Sequence, residues 1–356
     1  MRQRTPLGDY MTLRLGVVGC GGVAQLVHLP AAKRVEGADL VCLCDAHDDV
    51  VKKVAAKHGV PRCYTSTQEM YAREEIDAVL VLTSHPQHME VTVEAAEAGK
   101  HVLVEKPMAM TPQECKTMIS ACRRNDVFLM AAFMKRFDPS LMWVKDSIDR
   151  GQLGSIFVVN SWYCDSLHHM SYAKGFIPSF IKPEKPIPSL QAPVLPRHKH
   201  LMLGHGSHHM DLLHWIGGEV RSVTTAYRET GPLAYVSTTL LDFAGGSSGF
   251  YQLAGFLARD WAEGLTVHGT EGSAEVDIPF PYFKTPSPAR IYTKAAGVYS
   301  TIAVPYRDQY LGEIQHFVDC VTAGQQPSPS GQDGLYAQRM VDAACRSAVT
   351  GRRVRI

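Results

Sequence analysis

The sequence contains no apolar run long enough to cross a membrane. Its opening stretch, MRQRTPLGDYMT, lacks the apolar core of a signal peptide and reads as a frayed lead-in. Charge of one sign is missing too. The 36 Lys and Arg nearly balance the 35 Asp and Glu, with no basic stripe, so binding driven by phosphate neutralisation is not expected. No CxxC pair occurs. The nine cysteines are an odd number set mostly in apolar runs such as LVCLCD, which argues against a disulfide framework. A cytoplasmic protein without nucleic-acid or membrane partners is expected. What the chain does have is length. Its 356 residues exceed one typical core and suit two domains.

The first half alternates strand and helix signals. LRLGVVG, ADLVCLCD, DAVLVL, HVLVE and VFLMAA are apolar without alternation, as strands buried on both faces are. Between them, Asp48 is placed to cap a helix that stops before Gly59. Thr111-Pro112-Gln113-Glu114 is a capping box, and Asp138-Pro139 opens a further helix. The pattern predicts an α/β fold with a doubly wound parallel sheet over residues 12–135.

The first strand runs into GCGGVA, where Gly19, Gly21 and Ala24 fit G-x-G-x-x-G/A. Such a turn brings backbone N–H groups and a helix N-terminus to a dinucleotide pyrophosphate. Asp45 ends the second strand, where a carboxylate accepts from an adenosine ribose and repels a 2′-phosphate. NAD is therefore expected ahead of NADP.

From Gly154 the pattern changes. SIFVVNSWY, RSVTTAY, YVSTTLLDF, SSGFYQLAG, GLTVHGT and SAEVDI read as a largely antiparallel sheet of six strands or more, with hairpin signals between them. A helix near Met210 should pack on it, so residues 136–356 are expected to form an α+β domain. Trp162, Tyr163 and Asp165 end its first strand and are candidates to line a substrate pocket. Residues 165–203 are rich in proline and lack a period, as a lid or binding loop would be. Arg197-His198-Lys199-His200 near its end reads as a solvated basic loop or a contact for an anionic substituent.

HVLVEKPMAM puts Glu105, Lys106 and Pro107 at the carboxyl end of an inferred central strand, the edge where doubly wound sheets bind ligands. Pro107 would fix the backbone that aims the Lys106 ammonium. GHGSHHMDLLHW carries four histidines. On a regular helix His205, His208 and His209 would share a face, the spacing of a metal site, yet no carboxylate or cysteine nearby completes one, and no metal is expected. A proton relay at His208 and backbone-satisfied roles for His209 and His214 are the other readings.

On these motifs, together with MKRFDP and YLGEIQHFVDCVTAG, the chain resembles the glucose–fructose oxidoreductase / inositol dehydrogenase (Gfo/Idh/MocA) family over nearly its whole length. The resemblance implies a Rossmann domain and an open-faced sheet domain through which a homodimer or homotetramer assembles. It implies NAD(P)-dependent oxidation or reduction of a sugar, glycoside or polyol secondary alcohol. Lys106 would assist proton transfer, relayed with His208, while the nicotinamide takes the hydride. Gly21, Gly22 and Val23 would touch the pyrophosphate. Thr83 and His88 would contact the cofactor, with His85 where the family usually has Asn, and Arg136 would approach the carboxamide. The family's aspartate ahead of His208 is Gly204 here, and His205 is the candidate replacement as orienting group or substrate contact. Two other activities share this fold: redox-neutral, NAD-dependent glycoside cleavage, and nucleotide sensing without catalysis.

Overall fold

The structure, a computed structural model, describes residues 12–168, 175, 180–188, 193–231 and 233–356. The first half builds β1 (Leu13–Val18), a π-turn (Ala24–His28) continuing into α1 (Leu29–Ala32), β2 (Ala38–Cys44), α2 (Asp48–His58), β3 (Arg62–Tyr64), α3 (Thr67–Arg73), β4 (Ala78–Val81), α4 (His88–Glu97), β5 (His101–Glu105), α5 (Pro112–Arg124) and β6 (Leu129–Ala132). The six strands lie in the order β3-β2-β1-β4-β5-β6, every pair parallel. Every residue of β4 and β6 is buried, which is why these strands read as unbroken apolar runs.

The helix ends follow local chemistry. Thr111 accepts from Glu114 N–H and Glu114 accepts from Thr111 N–H, so the capping box forms. Asp138 accepts from the N–H groups of Ser140 and Leu141 and starts α6 (Pro139–Asp149). Asp48 is the first residue of α2 rather than its cap, which is His47.

The second half builds β7 (Ile156–Ser166), α7 (Arg197–Leu201), a π-turn (Met202–Gly206), α8 (Ser207–Gly217), β8 (Val220–Glu229), β9 (Tyr235–Phe243), β10 (Ser248–Leu257), β11 (Ala262–Gly269), β12 (Gly272–Ile278), β13 (Ala289–Thr293), β14 (Val298–Thr301), α9 (Gln309–Thr322), α10 (Gly331–Thr350) and β15 (Val354–Arg355). Its nine strands run β14-β13-β12-β11-β7-β10-β9-β8-β15, antiparallel except for β7 beside β10. Helices α8 and α10 cover one face. α9 departs from the sheet domain: Ile314, Phe317 and Val318 join the core formed by Leu15, Val17 and Leu80 of the first sheet.

Arg136, in the 3₁₀ turn Met134–Phe137 that follows β6, ties that turn to two helices of the second half. Its guanidinium meets Asp211 of α8 in a bidentate pair at 2.9 and 2.6 Å and Asp333 of α10 at 3.0 Å. Truncating one partner of a buried pair strands the other charge. Arg136→Ala should therefore cost about 3–5 kcal/mol, read as a lower midpoint in thermal or urea unfolding. An unchanged midpoint would refute the clamp.

Candidate active site

A cleft of about 1070 Å³ opens at the carboxyl edge of the parallel sheet, with the second domain as its far wall. At one end lies the glycine turn. Gly19 has φ +99°, and a Cβ there would stand 2.6 Å from the backbone of Leu82 and Thr83, so only glycine fits. Gly21 faces open space, whereas Phe180 lies 3.5 Å from where a Gly22 Cβ would be. Val23 also lines the cleft, 42% exposed. Asp45 Oδ2 accepts from Cys20 N–H at 2.8 Å, and its Oδ1 accepts from His47 N–H at 2.9 Å. Thr83 lines the cleft too, and its buried hydroxyl has no hydrogen-bond partner among the described residues. The open glycine backbone, a carboxylate at the end of β2 and this orphaned hydroxyl together fit a dinucleotide.

Lys106, directly after β5, lines the same cleft. Its Nζ donates to the carbonyl of Gly204 at 3.1 Å, across the junction of the domains. Burial pushes the ammonium below the ordinary lysine range, aided by Lys135 and opposed by Glu105, Glu263 and Glu313. The Lys106–Pro107 peptide is cis. His85 faces the same space, and burial holds it near a pKa of about 4. His88 is wholly buried; its two ring nitrogens face the carbonyls of Pro107 and Thr83, at 2.9 and 3.0 Å. It ties two loops of the cleft together and has no nitrogen left for a ligand.

The histidine stretch is not one regular helix. The π-turn before α8 changes the spacing, and the side chains diverge. His208 lines the cleft, and its buried Nδ1 has no hydrogen-bond partner among the described residues. Burial first, then Lys106 and Lys135, hold it well below its ordinary range, so its imidazole is neutral. His205 stacks on Tyr163, with centroids 5.0 Å apart, and both line the cleft. His209 turns to the sheet and meets Ser161 at 2.5 Å and Glu263 at 2.6 Å. His214 stacks on Tyr336. Among the described residues, no group of three or more His, Cys, Asp or Glu side chains is placed to hold a metal ion.

Two comparisons decide what this cleft belongs to. The family described as "Oxidoreductase family, NAD-binding Rossmann fold" (GFO_IDH_MocA) matches residues 13–133, and its "C-terminal alpha/beta domain" matches residues 200–356. The chain belongs to the Gfo/Idh/MocA family. It is an oxidoreductase of an NAD-binding fold. Among its relatives, the myo-inositol 2-dehydrogenase of Thermotoga maritima is 25% identical over 97% of this chain and 98% of its own. The D-apiose dehydrogenase of Paraburkholderia graminis is 26% identical over 96% of this chain and 88% of its own. In fold it is similar to an oxidoreductase domain protein from Kribbella flavida, with TM-score 0.80 and 21% identity over 97% and 99% of the two chains. A levoglucosan dehydrogenase in complex with NADH gives TM-score 0.78 and 19% identity over 97% and 99%.

Four residues expected in the Gfo/Idh/MocA site lie elsewhere. Arg136 is spent on Asp211 and Asp333 and does not line the cleft, so it is no carboxamide contact. Ala24 is wholly buried under the turn, where its size serves packing. Trp162 and Tyr163 are neighbours on β7, and strand side chains alternate. Tyr163 enters the cleft, while Trp162 lies across Gly264 on the other face. Asp165 is 5% exposed, beyond Tyr163 on the same strand, and does not line the cleft. Arg197 bonds to Glu229 and to carbonyls at 231 and 233, and none of residues 197–200 lines the cleft.

Other cleft residues were not foreseen. Trp261, Phe280, Tyr282 and Tyr310 give the cleft an aromatic wall. Behind it, Lys135 Nζ meets Glu263 at 2.5 Å, both buried. Glu263 held a clue, since it sits at an inward position of β11, in phase with Leu265 and Val267. Of the 165–203 loop, residues 169–174, 176–179 and 189–192 lie outside the described residues, so the lid reading falls there in part. The described Ile181 exchanges two hydrogen bonds with the Gln25 side chain, at 2.9 and 3.0 Å, beside the glycine turn.

NAD should bind more tightly than NADP by about tenfold or more, the worth of about 1.4 kcal/mol of repulsion between Asp45 and a 2′-phosphate. Asp45→Asn removes the charge while keeping an acceptor for Cys20 N–H, and should narrow the gap in a fluorescence titration. Equal affinities in the wild type would refute the assignment.

Proposed function

We propose that this oxidoreductase moves a hydride between NAD and a secondary alcohol of a sugar, glycoside or polyol. The observation that carries the reading is that Lys106, His205 and His208 line one cleft together with the glycine turn. Relatives named inositol 2-dehydrogenase and D-apiose dehydrogenase support the substrate class. Bound NAD supplies the hydride acceptor. The chain's own groups manage the proton. Lys106 Nζ, whose proton burial makes easier to lose, is placed to take the hydroxyl proton, while the Gly204 carbonyl fixes where it points. Neutral His208 offers the next acceptor. His205 and the aromatic wall present a stacking face to the C–H surface of a ring.

We also propose that the open face of the second sheet is the meeting surface of a homodimer or homotetramer. It carries Trp162 and, opposite each other, Phe250 and Leu240, the last 59% exposed. Among the described residues no helix is long and apolar enough to cross a membrane. All nine cysteines are free thiols, which fits a cytoplasmic location.

The test is a panel of polyols, free sugars and glycosides, followed at the NADH absorbance band. Growth of that band with one of them supports the reading. Cleavage of a glycoside with no net NADH would replace it with the redox-neutral activity. No turnover with firm NAD binding would replace it with a nucleotide sensor.

A further inference from the structure

Close to Lys106 lies a second ionisable cluster that the chemistry above does not use. His28 closes the π-turn after the glycines, Glu105 ends β5 and Glu313 lies on α9. His28 is wholly buried. Its Nε2 is 2.8 Å from Glu105 Oε1, and its Nδ1 faces Glu313 Oε1 at 4.0 Å, too far for a hydrogen bond and near enough for charge. The other Glu105 oxygen accepts the backbone N–H of Lys106 at 2.7 Å. Glu313 is wholly buried, and neither carboxyl oxygen has a hydrogen-bond partner among the described residues. Tyr310 sets its ring edge against His28, with centroids 5.3 Å apart.

A dry carboxylate without a donor takes up a proton rather than stay charged. Glu313 is in that position, with a second carboxylate across one imidazole. Glu105 is not. It receives hydrogen bonds from His28 and from Lys106 N–H, and it faces the Lys106 ammonium. Nε2 of His28 hydrogen-bonds Glu105, whereas its Nδ1 stands 4.0 Å from Glu313 and makes no hydrogen bond to it. The two carboxyls therefore carry one negative charge between them, not two. Burial and the neighbouring carboxylates Glu105 and Asp308 push Glu313 well above the carboxylate range, in agreement.

The geometry points to His28, Glu105 and Glu313 as a single positioning unit that holds one negative charge against Lys106 and so controls whether its Nζ is charged. This rests on the reading of Lys106 as the proton-handling group. Other groups also act on that ammonium: Glu263 on its favourable side, Lys135 against it, with His85, His88 and His208 around it. The unit is the part that reaches Lys106 through its own backbone.

Two measurements test it. The first is an infrared difference spectrum of the full-length wild type against Glu313→Gln at neutral pH. A protonated-carboxyl band present in the wild type and lost in the variant is expected; carboxylate bands in its place would overturn the proposal. The second is the pH profile of kcat/KM for alcohol oxidation. Glu105→Gln removes the counter-charge, so Lys106 loses its proton more easily and the acid limb should move down by about 1–3 units. Glu105→Asp keeps the charge and should bring the limb back towards wild type. A limb unmoved in Glu105→Gln would also overturn the proposal. The infrared result requires no substrate, so it stands apart from the role of Lys106, whose own failure would show as normal turnover in Lys106→Ala.

Discussion

Replacing Lys106 with alanine should leave NAD affinity within about twofold and lower turnover on the order of 10²–10⁴, the usual worth of a positioned acid–base group. The separation of the two effects follows from where the side chain goes. Nζ reaches across the domain junction to the Gly204 carbonyl, next to the cleft-lining His205, while the glycine turn and Asp45 follow β1 and β2. Lys106→Arg should not restore activity. A guanidinium stays protonated in proteins, so it can hold a substrate oxygen but cannot take its proton. Near-wild-type turnover in Lys106→Ala, or rescue by arginine, would remove Lys106 from the proton step. Measurement of NAD binding on the same preparations keeps misfolding apart from lost chemistry.

The parts of this molecule that could be read from its sequence are those written locally. Strands buried on both faces gave unbroken apolar runs, so five of the six strands of the first sheet stood out. β3 did not, because it is three residues long at the sheet edge, with one partner. In the second sheet β13 and β14 lie at the far edge, and the residues of β14 are all exposed, which leaves no alternation to detect. The glycine turn, Asp45 and Lys106 could be placed because each sits at the end of a strand, and strand ends of a doubly wound sheet share one edge.

What local pattern misses is pairing at long range. Arg136 resembled a cofactor contact from its motif alone, but its partners are 75 and 197 residues away. Nothing near it in the chain announces a buried triad. His209 looked like an ordinary helix-start histidine for the same reason: Ser161 and Glu263 arrive from β7 and β11. The histidine cluster shows a third limit of local pattern. Its metal-like spacing assumed 3.6 residues per turn throughout, and the π-turn at 202–206 breaks that assumption where it mattered.

The four histidines of that stretch should therefore separate in experiment, with His208 carrying the largest effect. His208→Ala should depress turnover strongly, on the order of 10²-fold or more, without weakening NAD. His205→Ala should act mainly on KM, because its ring is held by stacking on Tyr163 and its contribution is a face for the substrate. Prolonged chelation should leave both the protein and its activity intact. If the cluster were a metal site, changes at His205, His208 and His209 would release a stoichiometric ion and lose activity together; an ion analysis of the purified protein decides this. Stability gives an independent readout of His208. Its folded imidazole is held well below the ordinary 6.5, so as pH falls through that value the unfolded chain binds a proton that the folded chain refuses. The stability contributed by keeping His208 neutral is thus present above about pH 6.5 and is lost progressively below it. Denaturant unfolding at about pH 7 and about pH 5 should show a smaller acid loss in His208→Ala than in the wild type. An equal loss in both would mean that His208 is charged in the folded protein, and a charged imidazole beside Lys106 could not receive its proton.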